Sequence, residues 1–327
     1  MPAIEIGLNE DSLPLLATLE VAREAARLGF TGIWTPENRE RSGFVTCAYW
    51  GSQVPGLRVG IGVLPARARS PHSIALDALT VQELTGGRFI LGLGASGGGP
   101  AWGTPGDRPV AAMVDYLRTV RALVAGERVV YHGSTIQLAG DEIVMAGVPP
   151  VPVFLGALGP KMLEVAGRWA DGVLLNWTNE ERARVARETI TRAAAAAGRD
   201  PSSLVVAGYI RVSVDEDEQR ARHAIAAQTL KFWRMPHYRA QWEAMGFSEA
   251  GRVAERVLAS ADPVGAATML PEAFLHSVSA YGTASAAARR FRELAADLDV
   301  AIARVVPARP GPDGVLAVLD ALAPNRR

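Results

Sequence analysis

The chain has 327 residues, 49% of them hydrophobic, and its 34 basic and 34 acidic side chains balance to zero formal charge. That length can bury a full core in one large domain or two smaller ones, and without a basic run there is no field to hold a phosphate polymer or an anionic membrane surface, so nucleic acid is not an expected partner. The single cysteine, Cys47, excludes an internal disulfide and a Cys-x-x-Cys zinc site and fits a reducing cytoplasm.

Residues 3–8 read as the first strand, entered without the basic segment and apolar stretch of an export signal. A helix over 13–28 follows, with Leu16, Leu19, Ala22 and Ala26 at helical spacing and Gly29 as its stop. Further strands are expected at 31–35, 57–63, 88–93, 151–156, 171–176, 204–212 and 300–307, with helices at 71–84, 107–124, 161–169, 180–197 and 284–296. Two stretches depart from this alternation. Residues 128–138, interrupted by Tyr131-His-Gly-Ser, read as a hairpin, and 216–272 read as a helical, polar insertion after the seventh strand. Even the apolar run at 151–158 is far short of the ~20 residues that cross a bilayer, so membrane anchoring is not expected. Eight strand–helix units imply an α/β fold, a (β/α)8 TIM barrel in a single domain spanning 1–327. An open doubly wound sheet would usually begin with a glycine-rich turn after its first strand, where this chain has Leu8-Asn-Glu-Asp-Ser12.

In a closed barrel the reactive groups stand just beyond the C-terminal ends of the strands. After strand two comes Glu37-Asn38-Arg39, after strand three Gly62-Val63-Leu64, after strand four Gly94-Ala95-Ser96-Gly97, and after strand five Gly156-Ala157-Leu158-Gly159-Pro160-Lys161-Met162. The last of these could hold a phosphate, because glycine allows close backbone approach, Pro160 suits a first helical turn and Lys161 adds positive charge. The same residues could equally do no more than end a strand and start a helix. The five histidines are scattered, with no pair at i,i+4, and no metal site is expected. A glycine-rich rim with few titratable groups suggests that a cofactor carries the reaction.

Five segments, in order, resemble the bacterial luciferase-like flavin-dependent oxidoreductases: Ala26-Arg-Leu-Gly-Phe-Thr-Gly-Ile-Trp34, Val59-Gly-Ile-Gly-Val-Leu-Pro65, Arg69-Ser-Pro-His72, Leu84-Thr-Gly-Gly-Arg-Phe-Ile-Leu-Gly-Leu-Gly94 and the stretch from Gly159 to Gly172. The likeness is greatest to the branch that uses coenzyme F420, an 8-hydroxy-5-deazaflavin. It implies a hydride-transferring enzyme acting on a small organic substrate, with the deazaflavin ring in the barrel mouth. The ring would be backed by a cis peptide at Gly62-Val63, with Leu64, Gly94, Ala95 and Ser96 beside it and the phosphate on Gly156 to Met162. Where several members carry an Asp-His pair after strand two, this chain has Glu37-Asn38. On the resemblance Glu37 is the candidate acid or base, or else only a hydrogen-bond partner of the cofactor or a partner of Arg39, and Asn38 is a hydrogen-bond partner of the ring. Trp50, Trp102 and Trp177 are candidates to line a substrate pocket, or else to pack the rim helices. Two other readings stay open: an FMN-dependent monooxygenase fed by a partner flavin reductase, and a non-catalytic homologue that binds flavin or deazaflavin. A homodimer is the family's usual arrangement.

Overall fold

The computed structural model describes residues 2–8, 13–38, 40–95 and 108–325. Its strands are β1 (Ala3–Gly7), β2 (Gly32–Thr35), β3 (Arg58–Pro65), β4 (Phe89–Gly94), β7 (Val153–Gly156), β8 (Gly172–Asn176), β9 (Val205–Val214) and β11 (Val300–Val305), each parallel to its neighbours. They run in the cyclic order β1-β2-β3-β4-β7-β8-β9-β11, and β11 returns to β1, so the sheet closes into the expected (β/α)8 barrel. Around it lie α1 (Leu15–Leu28), α2 (Gly43–Gln53), α3 (Pro71–Leu84), α4 (Pro109–Val124), α5 (Pro160–Trp169), α6 (Glu180–Ala196), α11 (Ala284–Leu294) and α12 (Pro312–Leu322). Their ends follow local chemistry. Gly29 closes α1 at φ +92°, a left-handed conformation that glycine adopts without a Cβ clash. Ser70 caps α3 by accepting from the Ser73 N–H at 3.1 Å, ahead of Pro71.

The hairpin consists of β5 (Val129–His132) and β6 (Gln137–Asp141), paired antiparallel. Asp115 of α4 holds it, accepting from the Tyr131 hydroxyl at 2.7 Å and from the Thr135 N–H at 2.6 Å. Among the helices and strands, α2, α12 and β10 (Ser279–Gly282) have no counterpart in the sequence expectations, and the helical insertion runs on to Val278, beyond its expected end at 272. Strand β10 pairs with Arg211 to Val214, on the upper half of β9, while the lower half, Val205 to Tyr209, pairs with β8. One long strand therefore closes the barrel and carries an extra strand above the closure.

Between β9 and β10 the chain forms α7 (Glu218–Trp233), α8 (Pro236–Ala244), α9 (Ser248–Leu258) and α10 (Glu272–Val278). The expectation of a polar segment is corrected here. These helices bury Trp233, Trp242, Phe274 and Leu275 in an apolar core of their own, distinct from the one between barrel and helices. Trp233 and Trp242 pack with ring centroids 4.6 Å apart, and Phe274 lies 5.3 Å from Trp242. Charged and polar residues are interspersed among these apolar ones along the segment, so its average polarity conceals the buried stripe.

Candidate functional site

The lower barrel interior is filled. Trp34 packs against Phe154 and edge-on to Tyr209, both at 6.4 Å, and Gly60 leaves room for the indole, because a Cβ there would collide with it. Buried Glu5 accepts from the Trp34 indole N–H, from Thr31 at 3.1 Å and from Arg58, which neutralises it.

Above this plug the lining becomes small. The register between β3 and β4 shifts between Gly62 and Leu64, and the Gly62-Val63 peptide bond is cis, as the resemblance implies. The Tyr209 hydroxyl lies against the Cα of Gly62 from inside the barrel, where any Cβ would strike it. Val63 lies over Gly94 and Gly156: a Cβ on Gly94 would collide with it, and one on Gly156 would come within 2.9 Å. Leu64 is fully buried in the core between barrel and helices, Gly62 and Val63 keep part of their surface exposed, and Ala95 is half-buried.

Glu37 is bound to this bulge. Its backbone N–H donates to the Val63 carbonyl at 3.2 Å, and its buried carboxylate accepts from the Gly43 N–H at 2.8 Å and pairs with Arg69. Both carboxylate oxygens are thus engaged by donors. Arg69 is steadied in turn by the Phe44 ring, 5.6 Å from the guanidinium, and its carbonyl accepts from the Tyr116 hydroxyl at 3.0 Å. Asn38 is exposed at the rim. Arg39, the partner first considered for Glu37, lies outside the described residues, as do Ser96 and Trp102.

On the far side, Gly156 to Met162 lead from β7 into α5. Gly159 occupies the N-cap position of that helix at φ −99°, no side chain caps it, and a Cβ there would meet nothing within 4 Å. Pro160 opens the first turn and Lys161 is exposed, with Met162 half-buried beside it. The loop is fixed from behind, since Ala157 N–H donates to the Leu174 carbonyl at 3.2 Å and Arg182 donates to the Leu158 carbonyl at 2.6 Å. A small crevice, with room for little more than a water molecule, lies among Ala157, Leu158, Asn176, Thr178 and Gln241. An uncapped helix start with an adjacent cation is a place for an anion.

The tryptophans occupy packing positions. Trp50 sits on α2 with its indole N–H donating to Thr18 of α1 at 2.9 Å, in the layer outside the barrel. Trp177 is fully buried at the head of β8, with φ +51°, edge-on to Trp242 and Phe232. Gln241 of α8 holds that backbone by donating to the carbonyls of Asn176 and Trp177 at 3.0 and 2.6 Å.

Loop-by-loop inspection of the sequence overlooks the polar residues within β9. Tyr209, Arg211 and Ser213 alternate along the strand and so share its inward face. All three are buried, and among the described residues Tyr209 Oη, Arg211 Nε and Ser213 Oγ have no hydrogen-bond partner. Burial raises the Tyr209 hydroxyl pKa well above the phenolic range. The sequence signal was the run Tyr209-Ile-Arg-Val-Ser213, in which polar groups recur every second residue of an otherwise apolar strand. Among the described residues, no cluster of His, Cys, Asp or Glu could hold a metal ion, and no helix is long and apolar enough to cross a membrane.

Comparison with known proteins agrees with this architecture. The 5,10-methylenetetrahydromethanopterin reductase of Methanolobus tindarius is 33% identical over 215 residues, which cover 64% of this chain and 65% of that protein. The chain thus spans about half to two thirds of the length of the curated relatives it matches. The coenzyme F420-dependent tetrahydromethanopterin reductase of Methanopyrus kandleri superposes with a TM-score of 0.82 at 22% identity, covering 98% of both chains. An F420-dependent secondary alcohol dehydrogenase, solved with an F420-acetone adduct, superposes at 0.77 and 16% identity, covering 98% of this chain and 99% of that one. The family model for luciferase-like monooxygenases matches residues 4–300, nearly the whole barrel, and the chain therefore belongs to the luciferase-like monooxygenase family.

Proposed function

We propose that the protein is an oxidoreductase that uses coenzyme F420 to transfer a hydride to or from a small organic substrate at the C-terminal mouth of its barrel. The observation that carries this reading is the mouth itself. Gly62, Val63, Gly94 and Gly156 form a low, small-residue wall above the Trp34 plug, suited to the face of a planar ring. The names of the relatives point the same way, since the Methanopyrus reductase and the alcohol dehydrogenase are both F420-dependent.

The residues present fit such a group. Gly62, Val63, Gly94 and Ala95 would flank the ring, with Ser96 a further candidate; Leu64, buried in the core behind the bulge, is corrected to an anchor of the bulge, and Gly156 to Met162 would take the phosphate, whose charge matches the uncapped α5 start and Lys161. When bound, the deazaflavin supplies the hydride-accepting and hydride-donating carbon. The chain's part is to position the ring and to exclude water. On this reading Glu37 holds the bulge in place: a carboxylate engaged by Arg69 and the Gly43 N–H is an acceptor, and acting as a proton donor would require giving up that pair. Asn38, exposed beside it, is the candidate to meet the ring edge. Of the tryptophans, Trp102 stays a candidate for the substrate side, whereas the places of Trp50 and Trp177 favour packing roles. The proposal includes a cytoplasmic setting and a homodimer, and no partner reductase.

The test is a titration with F420 and with FMN, followed by anaerobic oxidation of reduced F420 against carbonyl and imine substrates. Tighter F420 binding and oxygen-independent turnover are expected. FMN binding clearly ahead of F420, with turnover that requires oxygen, would replace the reading with the monooxygenase. Binding without turnover across a broad panel would leave a carrier protein.

A further inference from the structure

Two matched ion pairs serve the barrel interior and mouth: Glu5 with Arg58, and Glu37 with Arg69. Arg211 is outside this balance. It is 3% exposed, it takes part in none of the ion pairs among the described residues, and its Nε has no hydrogen-bond partner. Among the described residues, the groups that contact it are neutral and its neighbour across the β9–β11 register is positive. The guanidinium lies 4.0 Å from the Trp177 ring centroid and 5.1 Å from that of Phe232, and Nη1 donates to Asn176 Oδ1. Asn176 is oriented for this by donating its own amide to the Tyr238 hydroxyl at 2.5 Å. The residue facing Arg211 in the β9–β11 register is Arg304, a second cation. Burial first, and then the Arg304 charge, lower the Arg211 pKa to about 9, still high enough to leave it protonated at neutral pH.

Position adds to charge. Arg211 is two residues beyond Tyr209 on the same face of β9, one layer nearer the mouth than the hydroxyl that touches Gly62. Ser213, equally buried and with an unpartnered hydroxyl, is the next inward residue. A guanidinium held by an amide and two aromatic faces, with donor capacity left over, suits a planar oxyanion that can take two parallel hydrogen bonds.

We infer that Arg211, oriented by Asn176, is a specificity-determining residue that receives a carboxylate or similar small oxyanion of the substrate beside the proposed ring site. This rests on the reading of the mouth as a hydride-transfer site. It narrows the substrate to a class, an organic molecule carrying an anionic group next to its reacting carbon.

The test uses the F420-loaded protein, titrated calorimetrically with sodium acetate and with inorganic phosphate at constant ionic strength, with F420 affinity measured in parallel from deazaflavin fluorescence. Wild-type protein should bind at least one probe. Arg211→Gln should weaken that binding about tenfold or more, and Arg211→Lys by less, since an ammonium keeps the charge and loses the fork. F420 affinity should stay within about twofold in both variants, because Arg211 is assigned to substrate. If Arg211→Gln fails to fold, Arg211→Lys decides by the same measurement. Probe affinity that is unchanged in the variants makes Arg211 a packing cation and overturns the inference. So does a probe that binds the apoprotein but not the F420-loaded protein, which would give the site to the coenzyme. Failure of the wild-type protein to bind F420 at all would instead refute the functional reading, and the anion titration of the apoprotein would then decide the role of Arg211.

Discussion

A Cβ added at Gly159 separates a phosphate site from a simple strand-to-helix turn. Gly159 sits at φ −99° and ψ 163°, where any residue is comfortable, and its missing Cβ would point into open space. Gly159→Val therefore strains nothing in the fold. Restricting the unfolded chain adds ~0.4–1 kcal/mol of stability, and the poorer N-cap costs about as much, so the net change is about 1 kcal/mol or less. A phosphate drawn up to the α5 N-terminus would meet the new side chain and lose one or two charge-assisted hydrogen bonds, at about 1.5–3 kcal/mol each, or roughly ten- to hundredfold in affinity for one. Lys161→Ala removes one exposed charge, worth about 1 kcal/mol or less. F420 affinity by fluorescence titration, on protein whose melting temperature shows it folded, should therefore fall far more in Gly159→Val than in Lys161→Ala. A folded Gly159→Val protein with wild-type affinity would move the phosphate away from this loop.

Three further outcomes follow from the packing. Gly62→Ala drives a methyl into the Tyr209 hydroxyl and should cost about 1–3 kcal/mol in denaturant unfolding, part of which Tyr209→Phe should restore; two additive losses would refute the contact. Asp215 is held well below the usual carboxylate range, first by Arg309, then by the Asp217 N–H and Arg220. A depressed carboxyl pKa contributes stability above its unfolded value near ~3.9 and loses it as pH falls through the folded value. The urea midpoint should thus drop below about pH 4, and Asp215→Asn should flatten that drop; an unchanged slope would exclude Asp215 as its source. Burial, with Glu37 adding to it, raises the Cys47 thiol pKa well above its ordinary value, so a thiol reagent at pH 8 should label the protein only on unfolding, and rapid native labelling would contradict the burial.

The barrel strands were legible because parallel strands buried on both faces read as apolar runs, and each ended within a few residues of its expected limit. Helix α2 was not, since Gly43, Gly51 and a weak amphipathic pattern disguise it, and β10 is only four residues long. The rim loops were legible from their glycines. Arg211 was not, because searching beyond the strand ends passes over residues that reach the mouth from within a strand. The partner of Glu37 is Arg69, 32 positions away, a pairing that only the three-dimensional adjacency of the β2 and β3 loops creates.

Strand β9 carries a consequence for how this barrel can diversify. The excursion through α7 to α10 leaves from the top of β9 and returns as β10 to pair with that same stretch, so its two ends are anchored on one strand. On that same edge of β9 the pairing with β8 uses the other half, Val205 to Tyr209, while the opposite edge stays paired with β11. The excursion can therefore be lengthened, shortened or exchanged as a cassette without altering the shear or circumference of the barrel. What such an exchange would change is the aromatic roof over Arg211, since Phe232 comes from α7 and Trp177 is braced by Trp242 of α8. On the proposed function, substrate preference could then drift through one replaceable segment while the wall proposed to cradle the ring, on the opposite side, stays as it is.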